Sequence, residues 1–348
     1  MSIKSLFARS SKFALTASVA AATLMPLAVS ANEVNVYTDR QEFLIAPLLQ
    51  AFTEATGTQV NVVYASGAGM EERIKAEGRN SPVDVVMTVD VGRLVDMVND
   101  GLTQPVSSEV IESNIPAEFR AEDGSWFGLT FRARPIYASK ERVDPSEINS
   151  YLDLADEQWK GRICTRPGDH DYNLGLLAAM IHHHGEEVAR EWIKGVKANL
   201  AQSPQGNDRG QVQNIYTGLC DVAIVNTYYM GAMLASDEQR PWAESVNLIF
   251  PDQDTVGTHI NMSGAIVARY APNFDQAVQL LEFLSDDLAQ EMYSAGNTEY
   301  PVKPGVQWSE IVQMWGEPKF DAESPAAIAD YKGLALRIMN EVDFNAGP

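Results

Sequence analysis

Two adjacent tyrosines, Tyr228 and Tyr229, follow directly on the apolar run Val222–Thr227. Such a run reads as a buried strand, and in α/β proteins ligands meet residues just beyond the carboxyl ends of strands. Tyr172 stands in a comparable place, after the run Arg162–Arg166 and at the start of a helical pattern. Phenolate is a hard, anionic oxygen donor. A free tyrosine ionises only near pH ~10. Near neutrality it therefore binds deprotonated only to a strongly acidic metal ion or beside strong positive charge. Three convergent phenols are thus more specific for Fe3+ than for zinc, which takes His and Cys, or calcium, which takes carboxylates and carbonyls. Tyrosines also fill cores and interfaces, so position alone leaves both roles open.

Other chemistry is thin. No G-x-S-x-G, H-E-x-x-H, Walker A or post-strand G-x-G-x-x-G pattern occurs, and no nucleophile–base set supports an enzyme. His182, His183 and His184 are consecutive, so on a helix they point in three directions and do not converge on one ion. They suit a helix end before Gly185, where imidazolium complements the dipole. His170 and His259 are isolated; His259, in Thr258-His259-Ile260, is placed to line a cleft or, the better reading, to be a hydrogen-bonded structural residue. Ser66-Gly67-Ala68-Gly69 reads as a turn leading into a helix.

Short β-rich runs alternate with helical patterns and would position these residues. Val34–Thr38, Val60–Ala65 and Val83–Val89 read as strands. Between the first two lies a helix with Leu44, Leu48 and Phe52 at fourfold spacing, ended by Gly57; between the last two lies a helix through Met70–Ala76. That alternation predicts a doubly wound α/β lobe. A second set follows: strands at Trp126–Phe131, Ile136–Lys140, Arg162–Arg166, Val222–Thr227, Val246–Pro251 and Gly264–Arg269. Helices are expected over Asn173–His184, Glu186–Ala201, Gln211–Gly218, Asp275–Leu284, Ala289–Ala295 and Ala326–Val342. The fold class expected is α/β, with two doubly wound lobes joined by crossover strands and a ligand cleft between them.

The 348 residues include 26 basic against 47 acidic side chains, a formal charge of −21. That balance excludes a nucleic-acid partner, which needs a basic surface. Lys4, Arg9 and Lys12 precede an uncharged stretch from Phe13 to Val29, and Val29-Ser30-Ala31 supplies small or short side chains. This is the layout of a secretory signal peptide, residues 1–31, cleaved after Ala31. Its removal would leave 317 residues and, with three basic residues gone, a charge of −24. Export implies an oxidising compartment, where Cys164 and Cys220 are a disulfide candidate.

The sequence resembles the periplasmic ferric-ion-binding proteins of bacterial ABC iron importers, which have the type II periplasmic binding protein fold. The likeness rests on Val36-Tyr37-Thr38-Asp39-Arg40-Gln41, Ala51-Phe52-Thr53-Glu54-Ala55-Thr56-Gly57 and Glu72-Arg73-Ile74-Lys75-Ala76-Glu77-Gly78. It continues through Ser81-Pro82-Val83-Asp84-Val85, Arg132-Ala133-Arg134, Trp159-Lys160-Gly161-Arg162, Asn226-Thr227-Tyr228-Tyr229, Ser263-Gly264 and Glu299-Tyr300-Pro301-Val302. The resemblance implies metal ligands at Tyr228 and Tyr229, with Tyr172 as the third. Where many members have a histidine ligand this chain has Gln41, and where one branch has a further tyrosine it has Glu42. The position of a glutamate ligand falls on about Val89, beside Asp90. Three protein ligands leave coordination positions on Fe3+ open. Similar members fill them with a synergistic anion such as carbonate, which Arg134 would hold, assisted by Arg132 and Gln41. Asp39 and Glu42 are reserve ligands. The implied protein is a periplasmic monomer that captures ferric ion and delivers it to an inner-membrane ABC permease. Its first lobe would span 32–131 and about 255–303, and its second 132–254 and about 304–348. The alternative is the same fold binding an organic solute such as a polyamine, thiamine or a phosphonate.

Overall fold

A computed structural model of the protein describes residues 32–348. The expected leader and its cleavage point lie outside the described residues. Among those described, no helix is long and apolar enough to cross a membrane.

Strand β1 (Glu33–Thr38) pairs in parallel with β2 (Gln59–Tyr64) on one side and β3 (Val85–Thr88) on the other. The helix Glu42–Thr56 makes the first crossover and buries Ile45, Leu48, Leu49 and Phe52. It stops at Gly57, whose φ of 75° is the left-handed conformation that glycine adopts without cost. After β4 (Thr103–Gln104), the long strand β5 (Phe127–Ala133) leads out of this sheet. A second sheet then forms from β6 (Ile136–Ser139), β7 (Ile163–Cys164), β8 (Val222–Ile224) and β9 (Val246–Ile249), in the order β7-β8-β6-β9. The chain returns through β10 (Ile260–Ala268) and β11 (Tyr300–Pro301), giving a first sheet ordered β11-β5-β10-β3-β1-β2, with β4 also on β10. Strand β10 is antiparallel to both β3 and β5. The first sheet packs on an apolar core around Val36, Phe52, Ile266 and Leu280; the second packs on two, one around Trp159, Leu177, Ile224 and Ile338 and one around Tyr137, Cys164, Ala223 and Met233.

Several expected elements come out differently. Strand β8 keeps only Val222–Ile224 of the run Val222–Thr227, because the chain turns there toward Tyr228, and β10 starts at Ile260, four residues before the expected Gly264. Strand β7 keeps only two residues of the run Arg162–Arg166; Pro167 has no N–H to carry a ladder onward, and Arg166 turns into the site described below. The helix expected over Ala326–Val342 is two, Pro325–Ala329 and Lys332–Glu341. The stretch from 304 onward is also divided. Val312 is buried in the first core with Trp308 packed against it, whereas Ile328, Ala335 and Ile338 belong to the second.

Cys164 on β7 is bonded to Cys220, two residues before β8, with Cα atoms 5.9 Å apart. The bond ties neighbouring strands of the second sheet across 56 residues of sequence. In the chain-entropy model a loop of that size contributes on the order of 4 kcal/mol. Reduction, or Cys164→Ala with Cys220→Ala, should lower Tm by on the order of 10 °C. Calorimetry with and without reductant checks this.

Candidate metal centre

Strand β8 ends at Ile224, and the chain turns through Val225–Thr227 into the seven-residue helix Tyr228–Leu234. The turn is held from below. The Tyr137 hydroxyl donates to the Asn226 carbonyl at 3.1 Å, and the Thr227 N–H donates to the Ala133 carbonyl at 3.0 Å. Tyr228 and Tyr229 therefore leave the sheet together, with ring centroids 4.2 Å apart. Tyr172 is the second residue of the helix Asp171–His184, capped by His170, whose Nδ1 accepts the Tyr172 N–H. The two helix starts meet: the phenol oxygens of Tyr172 and Tyr228 lie 3.0 Å apart. All three tyrosines remain partly exposed.

Burial pushes the Tyr228 phenol well above its usual range, with the neighbouring Tyr172 and Tyr229 adding to it. Tyr229 is pushed up to about 12, again by burial first. Both phenols are therefore protonated near neutrality in the metal-free protein.

Arginines surround this cluster. The guanidinium carbons of Arg132, Arg134 and Arg166 stand 5.7, 5.6 and 4.9 Å from the centre of the Tyr172 ring. Arg134 donates to Asn173 Oδ1 at 2.6 Å and to Asn226 Oδ1 at 3.0 Å. It also meets Asp208, whose other carboxylate oxygen accepts from Arg166 at 3.2 Å. Asp208 is fully buried at the start of the helix Asp208–Tyr216, so one carboxylate meets two guanidiniums and leaves one positive charge unbalanced. Asn173 Nδ2 donates back to the Arg166 and Pro167 carbonyls, fixing the loop that carries Arg166. Arg132 donates to Ser263 and to the Val89 carbonyl. The Nε atoms of all three arginines, Asn226 Nδ2 and Thr227 Oγ1 are buried without a protein partner.

Gln41 and Glu42 are exposed at the start of the helix Glu42–Thr56. Asp39 accepts the Val89 N–H at 2.9 Å, and its carboxyl is raised by burial. Asp90 is committed elsewhere, accepting from Lys332 and Asn261. Arg134 uses both terminal nitrogens on protein partners, leaving Nε free. His182 and His183 pair with Glu323 and Asp321. His259 is buried, and that burial lowers it to about 3, keeping it neutral. Among the described residues, no group of three or more His, Cys, Asp or Glu side chains could hold a metal ion. Arg166 and Asp208 were not singled out from the sequence, because charged residues on short elements carry no local mark of burial.

The family model for bacterial extracellular solute-binding proteins matches residues 80–315. The chain is 42% identical over 312 residues to iron uptake protein A1 of Synechocystis sp., covering 89% of this chain and 87% of that protein. Among solved structures it is similar to the apo ferric ion-binding protein A of Pasteurella haemolytica, with a TM-score of 0.86 and 47% identity over 90% of this chain and 99% of that one. It is equally similar in fold to a Trichodesmium protein in complex with iron and citrate, at a TM-score of 0.86, 38% identity and the same coverage.

Proposed function

The chain belongs to the bacterial extracellular solute-binding protein family and has the type II periplasmic binding protein fold, and on that premise we propose that it captures ferric ion through Tyr172, Tyr228 and Tyr229. The observation that carries this reading is the meeting of two helix starts, which brings the phenol oxygens of Tyr172 and Tyr228 to 3.0 Å with Tyr229 alongside. The names of the relatives support the cargo, since they are iron uptake and ferric-binding proteins.

The chemistry is consistent in charge. Three phenolates neutralise Fe3+, while Arg132, Arg134 and Arg166 outnumber Asp208 around Tyr172. An added anion balances that excess, and the unpartnered Nε atoms supply donors for it. Carbonate and citrate both meet that description; citrate accompanies iron in the Trichodesmium protein. Arg134 and Arg132 would hold the anion with Gln41 assisting, and Asp39 and Glu42 are reserve ligands. The protein is a carrier rather than a catalyst: it would act in the periplasm as a monomer and hand its cargo to an ABC permease. Closure of one lobe on the other would shift an open–closed equilibrium toward the loaded state.

Adding ferric citrate to purified protein should give a visible phenolate-to-iron charge-transfer band and raise Tm. A colourless titration with unchanged Tm would sink the reading and leave the organic-solute alternative.

The pH dependence follows in sign. Because Tyr228 and Tyr229 are protonated near neutrality, iron must displace a proton from each phenol it binds. Apparent affinity should rise with pH, by up to about tenfold per unit for each proton displaced. Loading at pH 7 should release roughly one proton per iron from each of Tyr228 and Tyr229, after correction for the freed chelator. Potentiometric titration measures this.

A further inference from the structure

Beside the tyrosines, two ion pairs cross between the elements of the two sheets. Asp90 follows β3 and is 2% exposed. Its Oδ1 accepts from Lys332 Nζ at 3.0 Å and its Oδ2 from Asn261 Nδ2 at 2.9 Å. Lys332 opens the helix Lys332–Glu341, whose apolar face, Ala335, Ile338 and Met339, lies in the second core. One turn beyond Asp90, in the helix Val91–Asn99, Arg93 donates to Asp171 Oδ2 at 2.8 Å. Asp171 starts the helix that carries Tyr172, and its Oδ1 lies 3.9 Å from Lys332 Nζ. The four charges alternate in sign, Asp90–Lys332–Asp171–Arg93. The chain of contacts leaves the first sheet's side, visits two elements of the second and returns.

The surroundings are built for this arrangement. A Cβ on Gly92 would fall 2.8 Å from Asp90 Oδ1 and 3.3 Å from Lys332 Nζ, so the ion pair occupies space that only glycine leaves. Beneath it lies a cavity of about 20 Å³ lined by Asp90, Gly92, Gly175, His259, Asn261 and Lys332, among others. That is room for about one water molecule. Burial alone would raise the Asp90 carboxyl, but Lys332 and Asn261 outweigh it and hold it at about 2. Asp90 is therefore a carboxylate throughout the range in which the phenols exchange protons, and the pair keeps its charges there.

We propose that Asp90–Lys332 and Arg93–Asp171 form an ionic clasp across the lobe boundary, which holds the lobes together next to Tyr172 and sets how fast bound cargo leaves. The rate part rests on the iron-binding reading above; the clasp itself does not. The two pairs differ in expected weight. Arg93 and Asp171 are partly exposed, at 28% and 36% of their side-chain surface, so their loss costs little. Lys332→Gln leaves a buried carboxylate without its cation, which costs far more.

The test uses the full exported chain with its disulfide intact. Spin labels at Glu54→Cys and Glu187→Cys, both exposed and on helices packed in different cores, report the distance between lobes in metal-free protein. Arg93→Gln and Lys332→Gln should each shift that distribution to longer distances. Release of iron to excess chelator, followed by loss of the visible band, should speed by about fivefold in Arg93→Gln and by more than about tenfold in Lys332→Gln. Should Lys332→Gln fold poorly, Arg93→Gln carries the test alone. Distances unchanged in the folded variants overturn the clasp, whatever happens to the release rate. A native chain that binds no iron refutes the cargo reading, and the metal-free distances still decide the clasp.

Discussion

Tyr228→Phe should weaken ferric iron binding by more than about 100-fold while leaving the fold unchanged. Removing a group that merely orients a metal ligand typically costs about 10–100-fold in affinity, and a ligand itself should cost more. The substitution deletes one oxygen and keeps the ring, so the packing of Tyr228 against Tyr229 at 4.2 Å survives. It also removes the partner of the Tyr172 phenol, 3.0 Å away, which frees that group to reorient. Tyr229→Phe should have a comparable effect, and the double variant should show no charge-transfer band. Competition against a chelator of known affinity gives the loss, and a melting curve within about 1 kcal/mol of native shows that the fold is intact. A double variant that still colours with iron would remove the tyrosine pair from the site.

Asp208→Ala should destabilise the protein by about 3–5 kcal/mol, the range for breaking a buried ion pair by removing one partner. Asp208 is fully buried and accepts from Arg166 at 3.2 Å while facing Arg134 at 3.5 Å. Without it, two buried guanidiniums lose their only carboxylate in that cluster. Its Oδ2 also accepts the Asn226 N–H, two residues before Tyr228. The same change should therefore loosen the turn that aims the tyrosines and weaken iron binding in whatever fraction still folds. Asp208→Asn keeps an acceptor and the shape, so its effect should be smaller. Urea melts of the three chains measure the order. Equal stability of native and alanine forms would contradict the account of the arginine cluster.

The fold was readable because its signals are local. The apolar run Val222–Thr227, the tandem tyrosines after it and the helix start at Tyr172 lie within short stretches of chain; the strand takes the first half of its run, Val222–Ile224, and the two helices start at Asp171 and Tyr228. Gly57 ends its helix for the reason a glycine there implies. Less was readable where elements are short or charges are buried. Strand β7 has two residues, too few for an alternating pattern. Asp208 looks like any acidic residue at a helix start, where acids are favoured on the surface too. Its role depends on Arg134 and Arg166, 74 and 42 residues away in sequence. The same holds for Asp90 and Lys332, 242 residues apart. Arg132 and Arg134 were legible as candidates through the family resemblance, but the commitment of Arg134 to Asn173 and Asn226 emerges only in three dimensions.

The most direct test is a crystal structure of the iron-loaded protein, with anomalous diffraction collected on both sides of the iron absorption edge. The account predicts one strong iron peak within bonding distance of the phenol oxygens of Tyr172, Tyr228 and Tyr229, with non-protein density on the side facing Arg132, Arg134 and Arg166. An iron peak on carboxylates elsewhere, or none at the tyrosine cluster in protein that has taken up iron, would contradict it.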